Sequence, residues 1–226
     1  MNLLTSPLRA RPSGPPALRP VSVAGSRRAF TLVEMLVVIG IIGLLAAMVV
    51  PAMSNAITQR DKKRVEAELR KLELLINNYK DKWGSYPPDN AAGPVTNALY
   101  YELSGTSVAG ANYTTLDGAE SISSTDAQTY LGVPGFLNST LGAVQAKNYL
   151  PELKPDHSAL ISTAPAVRVL TAPGKPAPGN TIIVGGKPVN PWRYVSSNPV
   201  HNPGRFDLWA EIEISSKTNI IGNWKN

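Results

Sequence analysis

Glu34 is the first acidic residue of the chain, and the 19 residues that follow it, Met35 to Met53, carry no charge. Before it run Arg27, Arg28, Ala29, Phe30, Thr31, Leu32 and Val33. A carboxylate in lipid costs about 2.5–3.5 kcal/mol at the centre of a spanning helix and less toward its end, so this acid needs a cation. Cleavage of the peptide bond between Ala29 and Phe30 would supply one. The new α-amino group would lie one helical turn from Glu34, and the same amine on a neighbouring copy could pair with it. Pairing across copies sets axial register, because a displaced neighbour leaves an unpaired charge in an apolar wall. The plainer alternative keeps Glu34 among the lipid headgroups, facing water and held by the basic residues before it.

Other residue types offer little chemistry. The chain has no cysteine, which excludes disulfides, thiolate metal sites and a cysteine nucleophile. Two histidines, His157 and His201, cannot build a histidine-rich metal cluster. Asp156, His157 and Ser158 have the residue types of a catalytic triad, but adjacent residues cannot take up its geometry, so this reads as a loop. Trp83, Tyr86, Trp192, Trp209 and Trp224 could form a stacking platform, yet core aromatics sealing a sheet onto a helix are the better reading. Lys62, Lys63 and Arg64 share a helix with Asp61, Glu66, Glu68 and Glu73, a solvated face of i,i+4 pairs and not a nucleic-acid site. No phosphate-cradling glycine motif or paired catalytic carboxylate is evident, so nothing argues for an enzyme.

These residues depend on one long element. The formal net charge is +6, but Arg9, Arg11, Arg19, Arg27 and Arg28 all precede the apolar run, and without them 17 basic side chains face 16 acidic ones. The basic excess therefore belongs to residues 1–29, which read as a disordered, proline- and arginine-rich leader. Met35–Met53 matches a hydrocarbon core of about 30 Å and predicts a membrane span. The run is longer than the ~7–15 apolar residues of a signal peptide and lacks its small-residue exit. It continues into a charged segment where Val65, Leu69, Leu72, Ile76, Tyr79 and Trp83 recur at three- and four-residue steps, one apolar stripe on a helix. A helix from Phe30 to Trp83 would be roughly 80 Å long. Pro51 should kink or loosen it, Gly40 and Gly43 allow close helix approach, and Gly84 with Pro87 and Pro88 ends it.

The carboxyl-terminal half changes character. Residues 90–150 show no strong period and predict a loop-rich region with one short helix near Ala143–Tyr149. Strands are expected at Val167–Leu170, Thr181–Val184, Trp192–Val195, Phe206–Glu213 and Asn219–Ile221, with Gly185 and Gly186 in a hairpin turn. A small antiparallel sheet over 165–226, laid on the helical stripe, gives an α+β domain.

FTLVEMLVVIGIIGLLAAMVVP after a basic leader resembles the type IV pilin-like superfamily. The resemblance implies that a prepilin peptidase cuts between Ala29 and Phe30 and methylates the Phe30 amine, with Glu34 as the register acid and Pro51 as the kink. Ala29 departs from the glycine usual before the cut. YKDKWGSYPPDN and the segment from NPWRYVSS to GNWKN are similar to the major pseudopilin of type II secretion. That likeness implies a structural calcium between the Asp-Leu strand and the closing Ile-Gly-Asn-Trp. Ala210 stands in place of its serine, and Asn219 and Ile220 in place of its aspartates, so the site has lost most of its charge. Asn219, Glu211 and Glu213 stay as weak metal candidates, although Glu211 and Glu213 also read as a solvated strand face. No other cofactor is expected.

The resemblance implies a pseudopilus subunit held in the inner membrane by residues 30–53, with 54–226 in the periplasm. Its partners would be copies of itself, other pseudopilins, the prepilin peptidase and the inner-membrane assembly platform, and not nucleic acid. The alternatives are a type IV pilus subunit for adhesion, motility or DNA uptake, and a membrane-tethered periplasmic binding module using residues 90–150.

Overall fold

The structure, a computed structural model, describes residues 30–179, 181–214 and 216–225, and of 49–58 the backbone only. The expected leader, Ala29 included, lies outside the described residues. The chain divides into two compact units, Met1–Met48 and Val49–Asn226, and helix α1 (Leu32–Trp83) contributes to both.

In the first unit α1 is helical, and the side chains from Phe30 to Met48 are exposed. Among the described residues no helix is long and apolar enough to cross a membrane. The expected span Met35–Met53 reaches past Met48 into residues whose side chains are outside the description, as is that of Pro51.

The second unit is α+β with small antiparallel sheets. Val65, Leu69, Leu72, Ile76 and Tyr79 of α1 are all buried, as their spacing requires, and Trp83 packs at the edge of the same core. Gly84 ends the helix at φ +79°, its N–H donating to Lys80 O at 2.7 Å.

Residues 90–150 depart from the loop-rich expectation. They hold α2 (Leu99–Ser104), β1 (Thr106–Ala109), β2 (Asn112–Thr115), β3 (Ser121–Ser123), α3 (Ser124–Leu131) and β4 (Ser139–Thr140). The strands form a sheet in the order β3-β2-β1-β4, antiparallel except for the β1–β4 pair. This layer contributes Leu99, Tyr101, Leu103, Ile122, Leu131 and Phe136 to the core. The helix expected at Ala143–Tyr149 does not form. Asn138 takes both backbone groups of Lys147, its Nδ2 donating to Lys147 O at 2.7 Å and its Oδ1 accepting from Lys147 N at 2.8 Å, which holds that stretch extended.

β5 (Ser158–Thr163) pairs with β6 (Ala166–Leu170), and β7 (Ile182–Val184) pairs with β8 (Lys187–Val189) across Gly185 and Gly186, both at positive φ. β9 (Arg193–Val195), β10 (Asp207–Ile214) and β11 (Lys217–Gly222) form an antiparallel sheet in the order β11-β10-β9. β6, β7, β9, β10 and β11 follow the expected places, whereas β5 lies outside them and the strands divide among two hairpins and one three-stranded sheet instead of a single sheet. Leu208, Ala210 and Ile212 of β10 point into the core that α1 closes from the other side.

Candidate assembly site

The described chain opens on a helix cap. Thr31 precedes α1, and its side-chain oxygen accepts from Glu34 N at 3.2 Å. In return Glu34 Oε2 accepts from Thr31 N at 2.8 Å and Thr31 Oγ1 at 2.9 Å. This is a capping box: a threonine and a glutamate three residues on satisfy each other's free backbone donors. The Thr-x-x-Glu signature lies in the sequence before an apolar run, but reading Glu34 only as a charge in lipid passed over it. The carboxylate therefore has a partner within its own chain. Both bonds fall on Oε2, so Thr31 makes no use of Oε1.

Beyond the cap the surface is nearly all apolar. Phe30 is 74% exposed and Leu32 81% exposed, and Leu36, Ile39, Ile42, Leu44 and Leu45 follow as exposed side chains. Water-exposed apolar area this continuous marks a surface that binds lipid or another chain. Gly40 and Gly43 leave space around them: an added Cβ at either would meet nothing within 4 Å.

In the second unit the polar candidates serve the fold. His157 Nδ1 stands 3.1 Å from Glu68 Oε1 on α1, and Asp156 Oδ2 accepts from Arg64 at 2.7 Å. Asp156 and His157 thus dock a turn onto the helix, while Ser158 Oγ accepts from Arg168 on β6 at 3.3 Å, and the three do not align as a triad. Trp192 is fully buried, while Trp209 and Trp224 meet edge to face with ring centroids 5.7 Å apart and His201 stacks on Trp224.

The chain matches the prokaryotic N-terminal methylation motif over residues 25–50. It is 39% identical over 62 residues to the type II secretion system core protein G of Klebsiella michiganensis, covering 27% of this chain and 44% of that protein. It is also 39% identical over 64 residues to the core protein G of Escherichia coli K12, covering 28% and 44%. The likeness to core protein G thus covers about a quarter of this chain. The chain spans less than half the length of these curated relatives. No solved structure matches it.

In the β10–β11 hairpin the metal candidates do not converge. In the β10–β11 register Ile212 faces Asn219, while Glu211 faces Ile220 and Glu213 faces Thr218. Side chains alternate across a strand, so Asn219 lies on the opposite face of the sheet from the two glutamates. Each is also engaged elsewhere. Glu211 pairs with Arg193 at 3.2 Å, Glu213 with Lys175 at 2.6 Å, and Asn219 Nδ2 donates to Lys217 O at 3.1 Å. Among the described residues no three histidine, aspartate or glutamate side chains cluster as metal ligands. Ala210, in the place of the serine, is fully buried in the core.

Sequence reasoning also missed Glu102. It is fully buried and accepts from Tyr79 Oη at 2.8 Å, Leu137 N at 2.9 Å and Asn138 N at 3.0 Å. A glutamate in a helix of six residues gives no periodic signal that would place it inside.

Proposed function

We propose that the chain is the structural subunit of a type II secretion pseudopilus, anchored in the inner membrane by residues 30–53 and polymerising through that same helix. The exposed apolar helix behind Phe30, with Glu34 as its single charged side chain up to Met48, carries this reading. After cleavage before Phe30, the amine of one copy pairs with Glu34 of its neighbour, and the apolar surfaces pack on one another as the helices leave the bilayer. Pro51 loosens the helix at the membrane exit. The domain from 54 onward stays in the periplasm and coats the filament. Copies of the chain, other pseudopilins, the prepilin peptidase and the inner-membrane assembly platform are the partners. The role is mechanical and needs no catalytic residue of its own.

The match to core protein G favours secretion over a pilus for adhesion, motility or DNA uptake, and the extensive packing of residues 90–150 into the core makes that region part of the scaffold. Coexpression with a prepilin peptidase and the other secretion components tests the proposal. Sheared filaments should contain this chain, starting at a methylated Phe30. A strictly monomeric chain that keeps its leader would refute it.

A further inference from the structure

Between Glu34 and Arg60 the chain carries no charge, and four cations and one acid then follow within five residues: Arg60, Asp61, Lys62, Lys63 and Arg64. As helix, the 25 residues from Met35 to Gln59 rise roughly 38 Å. That exceeds a hydrocarbon core of about 30 Å and approaches the 40–45 Å that includes both headgroup layers. With Glu34 at the inner edge of the bilayer, the first cations fall at its outer edge. This step rests on the membrane anchor proposed above.

The structure turns these cations outward. α1 runs unbroken through them and packs on the core through Val65 and Leu69, while Arg60, Lys62, Lys63 and Arg64 are all exposed. Their ion pairs differ. Arg64 lies 2.7 Å from Asp156 and helps to dock the turn before β5. Arg60 reaches only the adjacent Asp61, at 3.2 Å, and Lys62 meets Glu66 at 3.9 Å, with the two basic side chains 75% and 50% exposed. Pairs so exposed contribute little to stability, and a phosphate within reach competes for the same N–H donors. Long apolar stems let lysine and arginine bring their charges to the depth of the phosphates.

We propose that Arg60, Lys62 and Lys63 form a collar that binds the headgroups of anionic phospholipid on the periplasmic side of the inner membrane. Arg70 and Lys71 are also exposed, but they lie roughly 15 Å further along the helix than Arg60, beyond the headgroup layer, and take no part. Once the leader and its arginines are gone, the collar is the cluster of basic side chains nearest the bilayer. Its lipid contacts must be given up when the helix leaves the membrane for a filament.

The full chain reconstituted in phosphatidylcholine vesicles tests this, with a trace of spin-labelled phosphatidylglycerol or spin-labelled phosphatidylcholine as probe. The fraction of each probe immobilised against the protein gives its lipid preference. The leader's arginines add the same preference to every variant and cancel in the comparison. Wild type should favour phosphatidylglycerol, and the combined variant Arg60→Gln, Lys62→Gln, Lys63→Gln should lower that preference by about two-fold or more. Lys63→Gln alone, which breaks neither ion pair, should give a smaller loss and keeps the test open if the triple variant fails to fold. Arg70→Gln with Lys71→Gln should leave the preference at the wild-type value. A triple variant that is folded by its tryptophan emission and keeps the wild-type preference would overturn the collar, as would an equal loss on neutralising Arg70 and Lys71. A chain that immobilises neither probe would overturn the membrane anchor itself, and the collar with it.

Discussion

The phenol of Tyr79 on α1 donates a 2.8 Å hydrogen bond to Glu102 on α2, and both residues are wholly buried. The bond ties the long helix to the layer built from residues 90–150, because the same carboxylate also receives Leu137 N and Asn138 N. Burial pushes the Glu102 pKa up, opposed by those two N–H groups and the phenol, while burial and the adjacent carboxylate push the Tyr79 pKa up. Tyr79→Phe should cost about 1–3 kcal/mol, the usual loss when a buried acceptor keeps its charge but loses a donor. Glu102→Ala should cost more, since two backbone N–H groups are orphaned as well. Urea unfolding read by tryptophan fluorescence checks both, and an unchanged midpoint for Tyr79→Phe would remove the phenol from the argument. A carboxyl whose folded pKa is raised contributes stability below its unfolded pKa and loses it as pH rises through the folded value. Glu102→Gln should therefore flatten that descent.

Asp89 predicts the opposite slope. Although desolvation works to raise its pKa, donors from Ser197 and Ser196 outweigh this and hold it below the usual carboxylate range. Its Oδ2 accepts from Ser196 N at 2.9 Å, Ser197 N at 3.0 Å and Ser197 Oγ at 2.8 Å, which pins the loop after α1 to the end of β9. A depressed carboxyl contributes stability above its unfolded pKa and loses it as pH falls through the folded value. The Asp89→Asn chain should match the wild type in strong acid and fall behind it as pH rises toward neutrality. Parallel stability–pH curves for the two chains would remove Asp89 from the acid response.

Much of this architecture is legible in the sequence because period and burial coincide. The stripe from Val65 to Tyr79 and the alternation through Leu208, Ala210 and Ile212 place their own faces. The layer from α2 to β4 is hidden for a physical reason. Its helices are of 6 and 8 residues, too short to show a period, and its strands are rich in serine and threonine. Besides its share of the apolar core, side-chain hydrogen bonding at Glu102 and Asn138 holds it in place, which composition does not reveal. The assembly end shows the same division. Glu34 stands out as a charge, but its bond to Thr31 had to be read from a three-residue spacing also present in ordinary helix caps.

The departure at Ala29 carries a kinetic prediction. A peptidase that normally meets glycine before the cut must make room for one methyl group, so the reaction should proceed but slowly. Pulse-labelled chain with the peptidase should give a mature form beginning at Phe30, and Ala29→Gly should raise the processed fraction at early times. Equal rates for the two chains would mean that the enzyme does not sense this position.

Glu34 caps its own helix and, under the proposed mechanism, would also set axial register, and one amide separates the two. Glutamine serves as well as glutamate in a capping box, because its carbonyl oxygen can still accept from Thr31 N. Glu34→Gln should therefore leave the helix start and membrane insertion intact while removing the charge that the neighbouring Phe30 amine requires. Thr31→Ala does the converse: it forfeits a cap worth about 1 kcal/mol and keeps the carboxylate. Under the proposed register mechanism Glu34→Gln, like Glu34→Ala, enters the membrane but is missing from sheared filaments, whereas Thr31→Ala still assembles. If the glutamine chain polymerises as well as the wild type and the alanine chain at Thr31 does not, then Glu34 acts on its own helix and axial register comes from the apolar packing alone.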